Sequence, residues 1–292
     1  MSRATGHRKR NELKITIEPF RNASDYAACA EIQREVWRFS DIDIVPNATL
    51  RVLGEYGGIL LGAYNNIGEM VGFVASFLGQ DHGELVQHSH MLAVRAAYRN
   101  FDVGFKLKLM QRKEALRRKI HAIQWTFDPM QPVNAYFNLG KLGAWTRDYR
   151  EDYYGESTSV LHRGLPTDRL VAHWDLDARS VRTRLDEGPP RHDLREDLER
   201  YPLVNSLVEV APSVASPSPL KLDLGVAALL FEVPHNLPDL KTRNAAVALE
   251  WLGRMRQLFR TCFAKGYAAT DFWVVEDDGR PRAFYFLQKP KA

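Results

Sequence analysis

Short-range alternation over Lys14–Ile17 predicts a strand at the start of the ordered chain. Ser24 and Asp25 are cap-type residues ahead of Tyr26–Phe39, where Ala28, Ile32 and Val36 recur at helical spacing. An acidic, proline-containing loop is expected over Asp41–Ala48, with a further short element from Leu50 to Leu53. Gly58–Tyr64 and Glu69–Phe77 read as strands joined by a hairpin-type turn at Asn65-Asn66-Ile67-Gly68. Gln87–Val94 reads as a buried strand. Val103–His121 reads as a helix with Val103, Leu107, Met110, Leu116 and Ile120 inward and a basic face toward solvent. Ile123–Phe127 is another apolar strand, and Asn134–Leu142 a helix stopped by Gly143. Arg150–Ser159 and Asp168–Leu176 are expected as strands.

This mixed alternation predicts an α/β unit over residues 15–176, with a mixed, partly antiparallel sheet flanked by helices. Residues 177–219 turn rich in charge and then in Pro and Ser, as at a domain junction, with a short helix at Leu194–Tyr201. A smaller C-terminal α+β segment is expected over 220–292. It comprises a strand at Ala227–Val233, a helix at Asn244–Ala264, and a hairpin from Phe272–Glu276 to Ala283–Leu287 through Asp277-Asp278-Gly279.

Across its 292 residues the chain is 45% hydrophobic, ample for a core, yet has no apolar run near the roughly 18–20 residues of a membrane span. Two cysteines, Cys29 and Cys262, make no disulfide framework and no metal spacing. The net charge of +4 resides in residues 1–14, where Arg3, Arg8, Lys9, Arg10 and Lys14 oppose Glu12 alone. These residues read as a flexible basic tail, and with no apolar run after it, it is not a secretory signal. The expectation is a soluble, cytoplasmic protein with neither nucleic acid nor membrane as partner.

One segment carries chemistry. His88-Ser-His-Met-Leu-Ala-Val94 leads through Tyr98-Arg99-Asn100-Phe101-Asp102-Val103-Gly104 into a basic helix. A strand that turns directly into a helix presents unpaired N–H groups and the positive end of the helix dipole, a site suited to pyrophosphate. Arg99 adds charge there, and Gly104 permits close backbone approach. His88 and His90 stand two apart on the strand, and so on one face, expected to be shared with Leu92 and Val94. Two imidazoles there suit proton transfer; hydrogen-bonded core histidines are the plainer alternative, and nothing beside them has metal-ligand spacing.

The segment resembles the acyl-CoA-binding motif of the GNAT acyltransferase superfamily, [Arg/Gln]-x-x-Gly-x-[Gly/Ala] after a Leu-x-Val strand end, with Arg99 and Gly104 in register. Asn134 to Gly143, ending Lys141-Leu-Gly143, is similar to the superfamily's next helix. Trp125–Pro129 and Gly164–Arg169 are similar to a bacterial branch, some of whose members use succinyl-CoA on amino acids. The His-x-His-x-Leu-x-Val run resembles the same strand in serotonin N-acetyltransferase, where paired histidines help remove the amine proton.

The resemblance implies a GNAT-like fold and acetyl-CoA or another acyl-CoA as co-substrate, with no metal. Pantetheine would lie between the strands Gln87–Val94 and Ile123–Phe127, against Leu92, Ala93 and Val94. Pyrophosphate would sit on Arg99, Asn100, Phe101, Asp102, Val103, Gly104 and Phe105, with Asn134 reaching in from the facing helix. His88 and His90 would act as bases, and Trp37, Asp41 and Asp43 would shape the acceptor pocket.

Two residues depart from the pattern. Asp102 replaces the usual turn glycine, expected either to repel phosphate or to cap the helix with its side chain, its charge offset by Lys106, Lys108, Arg112 and Lys113. Leu139 replaces the usual tyrosine acid, leaving Tyr136 as the substitute. The expected activity is acyl transfer to a small-molecule amine, such as an amino acid, with a homodimer as a further expectation. The alternative is a non-catalytic acyl-CoA or small-molecule binding protein.

Overall fold

The computed structural model describes residues 14–155, 165–222 and 225–289. The basic residues before Lys14 and the last four residues of the expected strand at Arg150–Ser159 lie outside that range; within it, that strand is only Tyr149–Arg150, followed by a turn.

β1 (Thr16–Pro19) leads into α1 (Ala23–Trp37), which is capped by Asn22 rather than by Ser24 or Asp25. Asn22 is extended and accepts from the Ser24 N–H at 3.0 Å, so the helix begins earlier than its apolar spacing implies. α2 (Asn47–Glu55) starts directly after Pro46, a residue with no N–H to leave unpaired, and so takes up the end of the expected loop. β2 (Leu60–Tyr64) and β3 (Met70–Asp81) form a hairpin through the expected turn. β3 then continues to a second tight turn at His82 and Gly83, both at positive φ, and returns as β4 (Glu84–Val94).

A 3-10 turn over Ala96–Phe101 connects to α3 (Val103–Arg117). α3 stops short of His121 because the chain turns left-handed at Lys119. β5 (Ala122–Phe127) precedes α4 (Pro132–Ala135), which runs on as a π-helix over Tyr136–Lys141. Gly143, at φ 71°, ends it as expected. β6 (Tyr149–Arg150) and β7 (Arg169–Asp175) complete a seven-stranded sheet of order β1-β2-β3-β4-β5-β7-β6. Among the described residues of this sheet, only β4 and β5 pair in parallel.

Residues 177–219 fold as α5 (Arg179–Glu187), α6 (Leu194–Arg200) and the hairpin of β8 (Leu207–Ala211) with β9 (Val214–Pro217). β10 (Ala228–Val233), α7 (Leu237–Arg243), α8 (Ala245–Ala264), β11 (Ala268–Asp277) and β12 (Arg280–Gln288) follow, the strands in order β10-β12-β11. The architecture is therefore α/β, a mixed and largely antiparallel sheet with flanking helices and a C-terminal α+β segment.

The two faces of the main sheet bury different clusters. Cys29, Ile32 and Leu50 from α1 and α2 meet Phe73, Ala75, Met91 and Ala93 on one face. Val103 and Leu107 from α3 meet Val74, Val94, Ile123 and Trp125 on the other. That second cluster continues without a break into Phe231, Trp251, Phe259 and Tyr285 of the C-terminal segment. Thr146 exchanges two backbone hydrogen bonds with Ala269, which joins the edge of the main sheet to β11. Among the described residues no helix is long and apolar enough to cross a membrane.

Candidate functional site

β4 and β5 pair at only two positions, Gln87 with Ile123 and His88 with Gln124. From Ser89 and Trp125 onward the strands separate, and the β5-facing edge of β4 pairs with no strand among the described residues. A β-bulge accompanies the parting. Opposite β3, Ser76 faces Ser89 and Ala75 faces Met91, so His90 is the extra residue.

The bulge corrects the expected arrangement of side chains. Residues directly opposite each other share a face. His88 opposite Phe77 therefore lies on the α1–α2 face with Met91 and Ala93, whereas Leu92 and Val94 lie on the α3 face. The two imidazoles remain neighbours, with ring centres 6.3 Å apart and 4.9 and 6.0 Å from the Phe77 ring. His88 is half-buried and His90 exposed. Packing lowers both pKa values; for His88, to about 4, the positive fields of His90 and Lys108 add to the effect.

His88 belongs to a row that crosses five backbone segments: Phe77, His88, Gln124, His173 and Trp145 are paired in succession. Gln124 Nε2 donates to Asp81 at 2.5 Å and lies 3.2 Å from His173 Nδ1. The carboxylate fixes Nε2 as the donor, so His173 Nδ1 accepts and its proton sits on Nε2. His173 stacks on Trp145 at 4.7 Å. Sequence reading missed Gln124, Asp81, His173 and Trp145, because only strand register brings them beside the histidines.

At the far end of β4, Arg99, Asn100, Phe101 and Asp102 are exposed, and Arg99 Nε bonds the Val94 carbonyl at 3.3 Å. The first bond of α3 runs from the Lys106 N–H to the Asp102 carbonyl, leaving the N–H groups of Val103, Gly104 and Phe105 ahead of it. Among the described residues, no side-chain cap bond to them is made. Asp102, at φ 56°, occupies the left-handed conformation that a glycine adopts more readily. Its carboxylate does not cap the helix as expected but pairs with Lys141 at 2.5 Å. A Cβ at Gly104 would meet Leu92 only at ordinary contact, 3.5 Å, so chain packing does not demand this glycine.

The expected basic, solvent-facing side of α3 also needs correction. Lys108 points inward at 2% exposure, and Arg112 bonds the Leu176 carbonyl. Neither offsets Asp102; Lys141 does. Lys108 Nζ lies 3.2 Å from Ser89 Oγ, 3.0 Å from Gln111 Oε1 and 3.6 Å from the centre of the Trp125 ring.

The remaining expected residues are dispersed. Along the π-helix, Phe137 approaches Gly104, while Tyr136 packs on Gly140 toward β11. Tyr136 lines a cavity of about 360 Å³ with His192, Asp271 and Trp273, a lining that includes neither His88 nor His90. Asn134 is exposed, and Asn138 is the asparagine turned inward, accepting from Trp125 Nε1 at 3.1 Å. Trp37 packs edge-on to Phe73 on the histidine face of the sheet. Asp41 is exposed and paired with Arg34 at 2.9 Å, and Asp43 is half-buried in the same loop.

No family model and no curated protein matches the chain. Similar solved structures include a putative acetyltransferase from Acinetobacter baylyi, at 12% identity and TM-score 0.46, covering 58% of this chain and 96% of that one. Naa50 of Arabidopsis thaliana in complex with a bisubstrate CoA analogue is similar at 19% identity and TM-score 0.43, covering 55% and 97%. The ribosomal-protein-S18-alanine N-acetyltransferase of Escherichia coli is similar at 15% identity and TM-score 0.42, covering 56% and 96%.

Proposed function

We propose that this chain is an acyl-CoA-dependent N-acyltransferase of GNAT type that acts on a small-molecule amine. The observation that carries the reading is the parting of β4 from β5 after one short parallel rung, beside an uncapped helix N-terminus. The gap leaves a β4 main-chain edge for the amides of pantetheine. The N–H groups of Val103–Phe105, with Arg99, supply positive charge for pyrophosphate at its mouth, while Lys141 is held by Asp102. Gly104 keeps the approach open.

The acceptor would enter from the opposite face, over Phe77, His88, His90 and Gln124. An alkylammonium with a pKa near 10 is almost fully protonated at neutral pH and must lose a proton before it attacks. His88, near 4, is unprotonated but a poor proton acceptor. His90, more exposed and lowered by packing alone, is the better one, with the proton passing from it to solvent. The amine nitrogen then forms a bond to the thioester carbon, and an N–H of the β4 edge holds the developing oxyanion. The carbon–sulfur bond breaks, the attacking nitrogen gives its second proton to solvent, and CoA leaves as a thiolate that needs no dedicated acid, its pKa being near 8.5.

Isothermal titration of the full chain with CoA, acetyl-CoA and succinyl-CoA tests the reading. Binding of at least one thioester is expected, and no binding of any at millimolar concentration overturns it. A second reading, a non-catalytic acyl-CoA binder, is favoured by the weak base at His88 and by Tyr136 facing β11. His88→Ala/His90→Ala separates the two. An enzyme loses about 10²–10⁴-fold in turnover while keeping thioester affinity; a binder has no turnover to lose.

A further inference from the structure

Lys108 marks the point where the two strands part. Its Nζ lies against Ser89 on β4 and Trp125 on β5, the first residues on each strand beyond the last paired rung. Gly104, Lys108 and Gln111 follow at helical spacings of four and three, so one stripe of α3 faces the gap from mouth to apex. The side chain is buried, and its described partners are all neutral: a hydroxyl, an amide oxygen and the faces of Trp125 and Trp174. Burial without a counter-ion disfavours the ammonium and pushes its pKa well below the usual lysine range. The free amine, the form that attacks a thioester, is thus reached at lower pH than on a surface lysine. Acyl transfer to a diffusible amine leaves this nitrogen unused.

Resting on the acyltransferase reading above, we propose that Lys108 is a self-acylation site: with no acceptor present, its Nζ takes the acyl group from the bound CoA thioester. β4 from Val94 back to Ser89 spans roughly 16 Å, comparable with an extended pantetheine arm. A donor with its pyrophosphate on Val103–Phe105 therefore carries its thioester to the apex. A carbonyl in the gap is open to the acceptor from the histidine side of the sheet and to Lys108 from the α3 side. Ser89 Oγ and Gln111 Oε1 hold the nitrogen there, at 3.2 and 3.0 Å. The nitrogen bonds to the thioester carbon and the carbon–sulfur bond breaks. The proton shed by the nitrogen converts the CoA thiolate to the thiol, so the thioester is the only other reactant. The amide product carries no charge, which removes the cost of the buried ammonium. Its acyl group stays at the apex and closes the gap to the next donor.

The test is incubation of the full chain with acetyl-CoA and no acceptor, followed by intact mass spectrometry and peptide mapping. One acetyl group per chain is expected at Lys108, gained at least about 10-fold faster than at the exposed Lys113 and Lys119. Excess CoA is expected to slow it, and the acetylated chain to bind acetyl-CoA at least about 10-fold more weakly by calorimetry. A chain that binds acetyl-CoA yet leaves Lys108 unmodified overturns the proposal. So does acetylation of Lys108 no faster than of Lys113 or unaffected by CoA, which marks it as unassisted chemistry. Unchanged affinity after acetylation overturns the closing of the gap. Lys108→Arg is expected to lose the single fast acetylation, and a folded variant that keeps it contradicts the assignment. Should that variant fail to fold, the wild-type peptide map decides alone. Absence of acetyl-CoA binding overturns the acyl-CoA reading instead.

Discussion

His88 connects site chemistry to stability. Its folded pKa of about 4 lies below the ordinary 6.5, so the unfolded chain binds the extra proton between those values. The stability it confers is complete above pH 6.5 and is lost as pH falls through 4, by up to about 3 kcal/mol. Urea titrations at pH 7 and pH 4.5 are expected to show His88→Gln losing less stability on acidification than the wild type; equal losses would contradict the burial argument. Asp102 makes a second prediction. A glycine there relieves the left-handed strain and removes a carboxylate facing phosphate, while freeing Lys141 for that phosphate. Asp102→Gly is expected to tighten CoA binding about 3–10-fold by calorimetry. Weaker binding would mean that the Asp102–Lys141 pair organises the mouth.

Elements with local signals were legible in the sequence. The Asn65–Gly68 turn, the Gly143 stop and the periodic α8 all stand where local chemistry places them. Features set by distant partners were not. Ser89-His90-Met91 contains no glycine to announce a bulge, so simple alternation put His88 on the wrong face. Lys108 reads as a solvated lysine until Ser89, Gln111 and Trp125 converge on it. The π-helix likewise depends on β11, because a Cβ on Gly140 would lie 2.8 Å from the Phe272 carbonyl oxygen. Gly140→Ala is therefore expected to cost about 1–3 kcal/mol in urea unfolding. No loss would show that the π-helix and β11 adjust freely.

At the scale of the whole molecule, buried polar contacts bind the C-terminal segment to the main sheet. Arg256 holds Asp168 through two 2.7 Å bonds, and Tyr149 donates to the same carboxylate at 2.6 Å. Lys241 pairs with Asp128 at 2.9 Å, and Tyr285 donates to the Pro129 carbonyl at 2.8 Å, while Arg184 of α5 pairs with Asp271 at 2.9 Å. With one continuous core behind them, these contacts predict a single calorimetric unfolding transition. Arg256→Met, which strands a buried carboxylate, is expected to lower stability by about 3–5 kcal/mol without splitting that transition. Two separate transitions would contradict the continuity of the core.

The most direct measurement is a crystal structure of the chain grown with CoA. Pantetheine density running between Ser89–Val94 and Trp125–Phe127, with pyrophosphate on the N–H groups of Val103–Phe105, is the expected result. CoA bound elsewhere, or a gap that stays closed by its own side chains at saturating ligand, would contradict the account.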